Sequence, residues 1–271
     1  MKKLTVLGTG HATVTKCYNT CFTISNNKEH FLIDAGGGNG ILTQLNKANI
    51  NITSIKNMFI SHNHIDHLLG SIWIIRMIAQ ACIGMSKEEY KGNFNIYCSE
   101  ETKELLELIL KKTLLSKLYD LVGVRIHINK IEDRQMISIL NKQFEFIDLK
   151  SPKDLQFGFI CYYQKNKKLI FLGDEPYNQV IDKELENADY LLTEAFCLYS
   201  EREKFKPYEK FHNTVKEGAE LGEKFAVKNL VLWHTEEENL ENRKELYTKE
   251  AKKNYNGNIF VPNDLEIIEL K

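Results

Sequence analysis

Residues 60 to 70 read ISHNHIDHLLG, and His62, His64, Asp66 and His67 fall within six consecutive positions of it. The chain has only eight histidines, so three at this spacing are where its chemistry is sought first. The preceding run, NMFIS, has the character of a strand. On an extended segment leaving it, His62 and His64 are two residues apart and their imidazoles share one side. Asp66 and His67 follow where LLGSIWIIRM starts a helix, so they project from its first turn. Two ligand pairs on two local geometries can address two cations a few ångströms apart. Imidazole nitrogen with carboxylate oxygen suits zinc, and manganese or iron as well. A lone histidine here would read as polarity at a helix start; four such groups in this order favour a metal centre.

These groups need a scaffold, and the rest of the chain supplies one. Short β-branched and aromatic runs recur throughout: KLTVLG, CFTIS, HFLIDAG, FNIYCS, VRIHI, QFEFIDL, FGFICYY, KLIFLG, DYLLTEA, NLVLWH and LEIIEL. Helical periodicity appears between them. ETKELLELILKKTLLSKL (101–118) spaces its leucines by three and four, with glutamates early and lysines late, as the helix dipole favours. TVKEGAELGEKFAV and NRKELYTKEAKKNY read as helices too. Strands with interspersed helices mean a layered α/β protein, expected as a single domain over 1–271. Strand runs adjacent without helices between 143 and 173 imply antiparallel pairing there.

Composition narrows the partners. Lys+Arg 36 against Asp+Glu 37 leaves a net charge of -1, so no whole-protein positive field points to nucleic acid. The start, MKKLTVLGTG, turns to glycine and threonine too soon for the apolar core of a signal peptide. LLGSIWIIRMIAQACIGM (68–85) carries Arg76 in its middle, which argues for a buried helix rather than a membrane span. One side of that helix could stay exposed and serve a homodimer. Six cysteines, Cys17, Cys21, Cys82, Cys98, Cys161 and Cys197, form no C-x-x-C pair. They are expected to be reduced and mostly packed, in a cytoplasmic protein. A metal contact from the close pair Cys17 and Cys21 is the lesser reading.

The H-x-H-x-D-H run after a strand resembles the metallo-β-lactamase superfamily of metal-dependent hydrolases. LGTG (7–10), FLIDAGGG (31–38), LIFLGDEP and NLVLWHTEEEN follow that pattern in order along almost the whole chain. LLTEAF and KFHNTVKEGAELGEKFAVKNLVL resemble the ribonuclease Z branch. The resemblance implies a four-layer αββα sandwich holding two divalent ions. It makes Asp34 a carboxylate that orients the metal loop, Asp174 a bridge between the ions and His234 the last metal histidine. It pairs Glu194 with His212 as a proton-donating couple. Asp66, His212 and Glu194 are then the residues expected in catalysis; His62, His64, Asp66, His67, Asp174 and His234 are the expected metal ligands. The chain departs from the pattern twice. The family's histidine before a Gly-aromatic step is missing from DLKSPKDLQ (148–156), which leaves the first site incomplete. Glu175 also stands where the family has Thr or Ser. Water, Asp148, Asp154 or Glu175 are the candidates to complete that site.

Two divalent ions make a hydroxide from water near neutral pH and neutralise charge on a bound ester, which suits a phosphodiester. Ribonuclease Z carries a long arm for transfer RNA, yet only about two dozen residues separate Lys150 from Asp174, with no basic insertion. A small phosphodiester or a short nucleic-acid end is therefore the expected substrate, with no membrane partner. The alternatives are a lactone or thioester hydrolase of the same superfamily, or a degenerate metal-binding sensor without catalysis. The basic runs 164–168 and 201–210 read first as solvated loops. The second could still bring Lys204, Lys206, Arg202 or Tyr208 near an anion.

Overall fold

A computed structural model describes residues 3–26 and 28–271. Met1 and Lys2, which open the segment weighed as a signal peptide, lie outside the described residues. The chain divides into two compact units, each built on one mixed seven-stranded sheet with its own helices.

The first unit comprises the chain up to Gly8, Tyr18–Glu132 and Asp264–Lys271. Its strands are β1 (Lys3–Gly8), β2 (Cys21–Ser25), β3 (His30–Ile33), β4 (Ile55–Phe59), β5 (Phe94–Cys98), β6 (Ile126–Lys130) and the late β14 (Ile267–Glu269), ordered β14-β1-β2-β3-β4-β5-β6. β14, β1, β2 and β3 pair antiparallel, and β3 to β6 run parallel. Parallel strands need crossovers, which α1 (Gly40–Lys47), α2 (Ile65–Cys82) and α3 (Glu100–Thr113) provide. α2 begins three residues before the apolar run quoted above, so Asp66 and His67 stand in its first turn as expected. It buries Leu68, Ile74, Ile75 and Ile78 in one core with Leu32, Met58 and Ile96. Each such side chain contributes about 1.5–3 kcal/mol by leaving water. Its other side shows Ile65 and Trp73 to solvent. No helix among the described residues is long and apolar enough to cross a membrane.

The helix expected over 101–118 is two pieces. α3 ends at Thr113, whose hydroxyl donates back to the Ile109 carbonyl at 2.7 Å. Leu114 and Leu115 are extended, and α4 (Ser116–Tyr119) follows. A threonine bonding its own preceding turn competes with helix propagation, a local effect that leucine periodicity does not register.

The second unit comprises Thr9–Cys17 and Asp133–Asn263. β7 (Met136–Ile139), β8 (Lys142–Asp148), β9 (Phe157–Gln164) and β10 (Lys167–Phe171) form an antiparallel meander, the pairing expected for 143–173. β10, β11 (Tyr190–Glu194), β12 (Asn229–Trp233) and β13 (Asn258–Phe260) are parallel. Between strands lie α5 (Asp182–Leu185), α6 (Arg202–Phe205), α7 (Val215–Lys224) and α8 (Arg243–Ala251). α7 opens with a capping box: the Thr214 hydroxyl bonds the Glu217 backbone, and Glu217 reaches back to the Thr214 N–H at 2.8 Å. That cap fixes the chain directly after His212. Ile160, Ile170, Leu191, Leu230 and Val215 share this unit's core.

Candidate metal centre and proton-donor pair

In the first unit the metal loop is held from below by one carboxylate. Asp34 follows β3 with a left-handed backbone, φ 52°, and is buried. Its Oδ1 accepts the Ser61 N–H at 2.8 Å, and its Oδ2 accepts the Ser61 hydroxyl at 2.8 Å and His67 Nδ1 at 2.8 Å. Ser61 Oγ in turn lies 2.9 Å from His62 Nδ1. Both imidazoles thus turn Nδ1 toward the protein, an arrangement in which Nε2 is the atom that could meet a metal. The rings are close: His62 to His64 4.4 Å and His62 to His67 4.2 Å between centroids. Asp66 Oδ2 lies 3.3 Å from His67 Nε2. His64 is the N-cap residue of α2, with an extended backbone, so the four groups are set by one strand end and one helix start.

In the second unit the groups stand just beyond the C-terminal ends of three parallel strands, where α/β sheets present their ligand sites. Asp174 follows β10 through Gly173, whose φ of 69° makes the turn. Glu194 ends β11, and His234 follows β12 with φ 55°. Non-glycine residues in this region cost free energy and collect at functional sites. His234 Nε2 is 3.5 Å from Asp174 Oδ2. His212 Nδ1 lies 2.6 Å from Glu194 Oε2 and 3.1 Å from the Asp174 carbonyl. Glu194 Oε1 accepts the Asn213 N–H at 2.8 Å. Phe196 stacks on the His212 ring at 4.9 Å and 17°. Asp174, His212 and His234 each offer an atom, all within 4.8 Å of one another. Sequence reasoning kept His212 out of the ligand set, and this spacing brings it to the edge of it.

The electrostatics follow from burial. Full burial pushes the Glu194 carboxyl well above its ordinary range; the nearby His234 opposes this and Asp174 adds to it. Burial lowers the His212 imidazole, against the pull of Asp174. Asp174, Glu175 and Glu194 are 3%, 2% and 0% exposed; a protein interior holds such buried carboxyls by protonation or by pairing with cations. In the second unit, Asp174, His212 and His234 form a donor set of carboxylate and imidazole that fits a divalent ion.

The places considered for the missing histidine are otherwise engaged. Asp148 accepts both the backbone N–H and the ammonium of Lys150, at 2.8 and 2.5 Å. Asp154 is exposed. Glu175 Oε1 accepts Gln156 Nε2 at 2.9 Å and lies 3.0 Å from Lys153 Nζ. Of the basic run 201–210, Lys204 pairs with Glu238, Lys206 lies 3.3 Å from Glu209, and Tyr208 donates to Glu217. These side chains are exposed, as solvated surface. Arg243, fully buried, escaped the sequence reading: it donates to Thr235 Oγ1 at 2.6 Å and to the Pro262 carbonyl at 2.9 Å, bracing the turn after His234. An arginine in a lysine- and glutamate-rich helix gives no such signal by itself.

Known proteins resemble the chain along its length. Ribonuclease Z of Methanococcus aeolicus is 29% identical over 170 residues, 61% of this chain, and the match spans about half (47%) of that enzyme. Ribonuclease Z of Borrelia recurrentis is 25% identical over 96% of this chain and 94% of its own. The crystal structure of the metallo-β-lactamase fold protein YhfI from Bacillus subtilis superposes with TM-score 0.77 at 15% identity, covering 99% of both chains. The fold is therefore the metallo-β-lactamase α/β type, and the chain stands among the hydrolases of that superfamily, close to ribonuclease Z. The model of the family described as anti-Pycsar protein Apyc1 matches residues 2–255, and the chain belongs to that family.

Proposed function

We propose that the protein hydrolyses a small phosphodiester, using divalent ions held by His62, His64, Asp66, His67, Asp174 and His234, with His212 as proton donor to the leaving alkoxide. The residues 1–271 are read as one catalytic domain, as the superfamily resemblance implies, with zinc as the first candidate metal. The observation that carries it is the 2.6 Å contact of His212 with Glu194, beside Asp174 and His234. When bound, the ions would supply an activated water and neutralise charge on the phosphate. The chain's own residues do the rest. Asp34 and Ser61 hold His67 and His62 in one orientation. The Glu194 carboxyl at 2.6 Å from Nδ1 and the stacked Phe196 ring hold the His212 imidazole in one orientation, so that a protonated Nε2 can give its proton to the leaving alkoxide.

A small substrate is favoured over transfer RNA by the segment from Lys150 to Asp174. It folds as β9 and β10 joined by a two-residue turn, 165–166, and contains no arm. The net charge of -1 agrees. Metal content of the purified protein, with a panel of bis-p-nitrophenyl phosphate, cyclic mononucleotides, dinucleotides, precursor transfer RNA, a lactone and a thioester, tests the reading. Two equivalents of metal and turnover of the small phosphodiesters, lost in His67→Ala, are expected. Turnover of the lactone or thioester alone would move the chain to the other branch, and bound metal with no turnover would make it a sensor. Self-association through the exposed edge of α2, at Ile65 and Trp73, belongs to the same reading and is measured by sedimentation.

A further inference from the structure

The two places where the chain departs from the superfamily pattern meet in space. Lys153 lies in the segment that lacks the metal histidine, and Glu175 follows Asp174. Their side chains are 3.0 Å apart. Glu175 is 2% exposed and its Oε1 is also held by Gln156 Nε2 at 2.9 Å, so the carboxylate is a fixed anchor. The Lys153 side chain is 17% exposed, less buried than its partner and able to meet a ligand. The loop that carries it is closed at its base by the Leu149 N–H to the Gln156 carbonyl at 2.9 Å, and within it Ser151 Oγ accepts the Lys153 N–H at 3.1 Å. Glu175 follows Asp174 directly, and the Asp174 carbonyl lies 3.1 Å from His212 Nδ1, so the ammonium held by Glu175 stands near the proton-donor pair and not on a remote surface.

An ammonium has three donors, and Glu175 Oε1 takes one. A cation anchored this way behaves as a point charge for phosphate oxygens. We propose that Lys153, anchored by Glu175, is a phosphate-binding residue of the site: its ammonium grips a non-bridging oxygen of the substrate beside His212. This deepens the phosphodiesterase reading and rests on it. It also gives a physical reason why the segment tolerates the loss of a metal histidine, since a resident positive charge partly replaces what a fully held ion contributes.

The test uses the metal-loaded protein and inorganic phosphate as probe, with affinity measured by calorimetry and metal content alongside. Lys153→Met is expected to weaken phosphate binding about tenfold, the order expected for one charged hydrogen bond, with wild-type metal content. Lys153→Arg keeps the charge and should stay within about threefold of wild type, while Glu175→Gln should fall between the two. Unchanged phosphate affinity in Lys153→Met overturns the proposal. Loss of metal together with phosphate in that variant overturns it too, because Lys153 would then support the ligands and not the anion. The two readings fail separately: absence of phosphodiester turnover by the wild-type protein sinks the proposed function, whereas phosphate affinity indifferent to residue 153 sinks only this inference.

Discussion

Gly70 offers a sharp test of how the metal loop is held. It sits one turn into α2 from Asp66 and His67, where the helix presses on the backbone after Asp34. The Gly70 N–H donates to the Gly36 carbonyl at 2.7 Å, and the Ala35 N–H donates to the His67 carbonyl at 3.0 Å. A Cβ on residue 70 would stand 1.8 Å from the Ala35 carbonyl oxygen and 2.6 Å from its carbon. Backbone cannot rotate away as a side chain does, so Gly70→Ala must drive the helix and the 35–36 segment apart by at least about 1 Å to reach a tolerable contact. Overpacking of this kind costs about 1–3 kcal/mol. In a chain of this size that is a drop in Tm of roughly 3–10 °C. The same displacement separates His67 from Asp34, now at 2.8 Å. A misplacement of about 1 Å can remove about 100-fold in rate. Thermal unfolding, metal content and phosphodiesterase activity of Gly70→Ala measure all three. A variant with wild-type Tm, metal content and turnover would refute the claim that close backbone approach positions the loop.

Other outcomes follow from the same geometry. His212→Asn should lower kcat about 10²- to 10⁴-fold with KM little changed, and Glu194→Gln should lower it less, checked by steady-state kinetics. Equal wild-type turnover in both would remove the proton-donor role. Dialysis against a chelator should abolish activity and lower Tm, both restored by added zinc, because ions that bind only the folded state stabilise it by mass action. His30, packed in β3 beside Thr23 and away from the metal loop, is lowered to about 4 by burial. Its folded value lies below the unfolded one, so the neutral ring contributes stability in full above about pH 6.5, and this is lost as pH falls toward 4. After discount for partial exposure the loss is about 2 kcal/mol. Denaturant unfolding should show that acid slope shrinking in His30→Gln; identical slopes would contradict it.

Much of this site was legible in the chain because its signals are local. The His62–His67 spacing, a strand before it and a helix start within it are set by nearest neighbours, and α2 begins where Asp66 and His67 require. The strand ends at Asp174, Glu194 and His234 were also readable, since apolar runs bounded by turn residues mark strands whatever they pack against. The meander over 143–173 followed from the absence of helical periodicity. The break of the 101–118 helix was not readable, because it turns on one threonine hydroxyl bonding back to Ile109.

What only the tertiary structure decided are pairings between residues distant in sequence and ordinary in type. Glu175 takes Gln156 and Lys153, and Arg243 braces Thr235. The sequence by itself determined which donors exist and which elements bear them, because spacing along a strand or helix is local geometry. Which carboxylate meets which cation depends on sheet register and burial, and free energy in a low-dielectric interior then turns an unremarkable lysine or glutamate into part of a site.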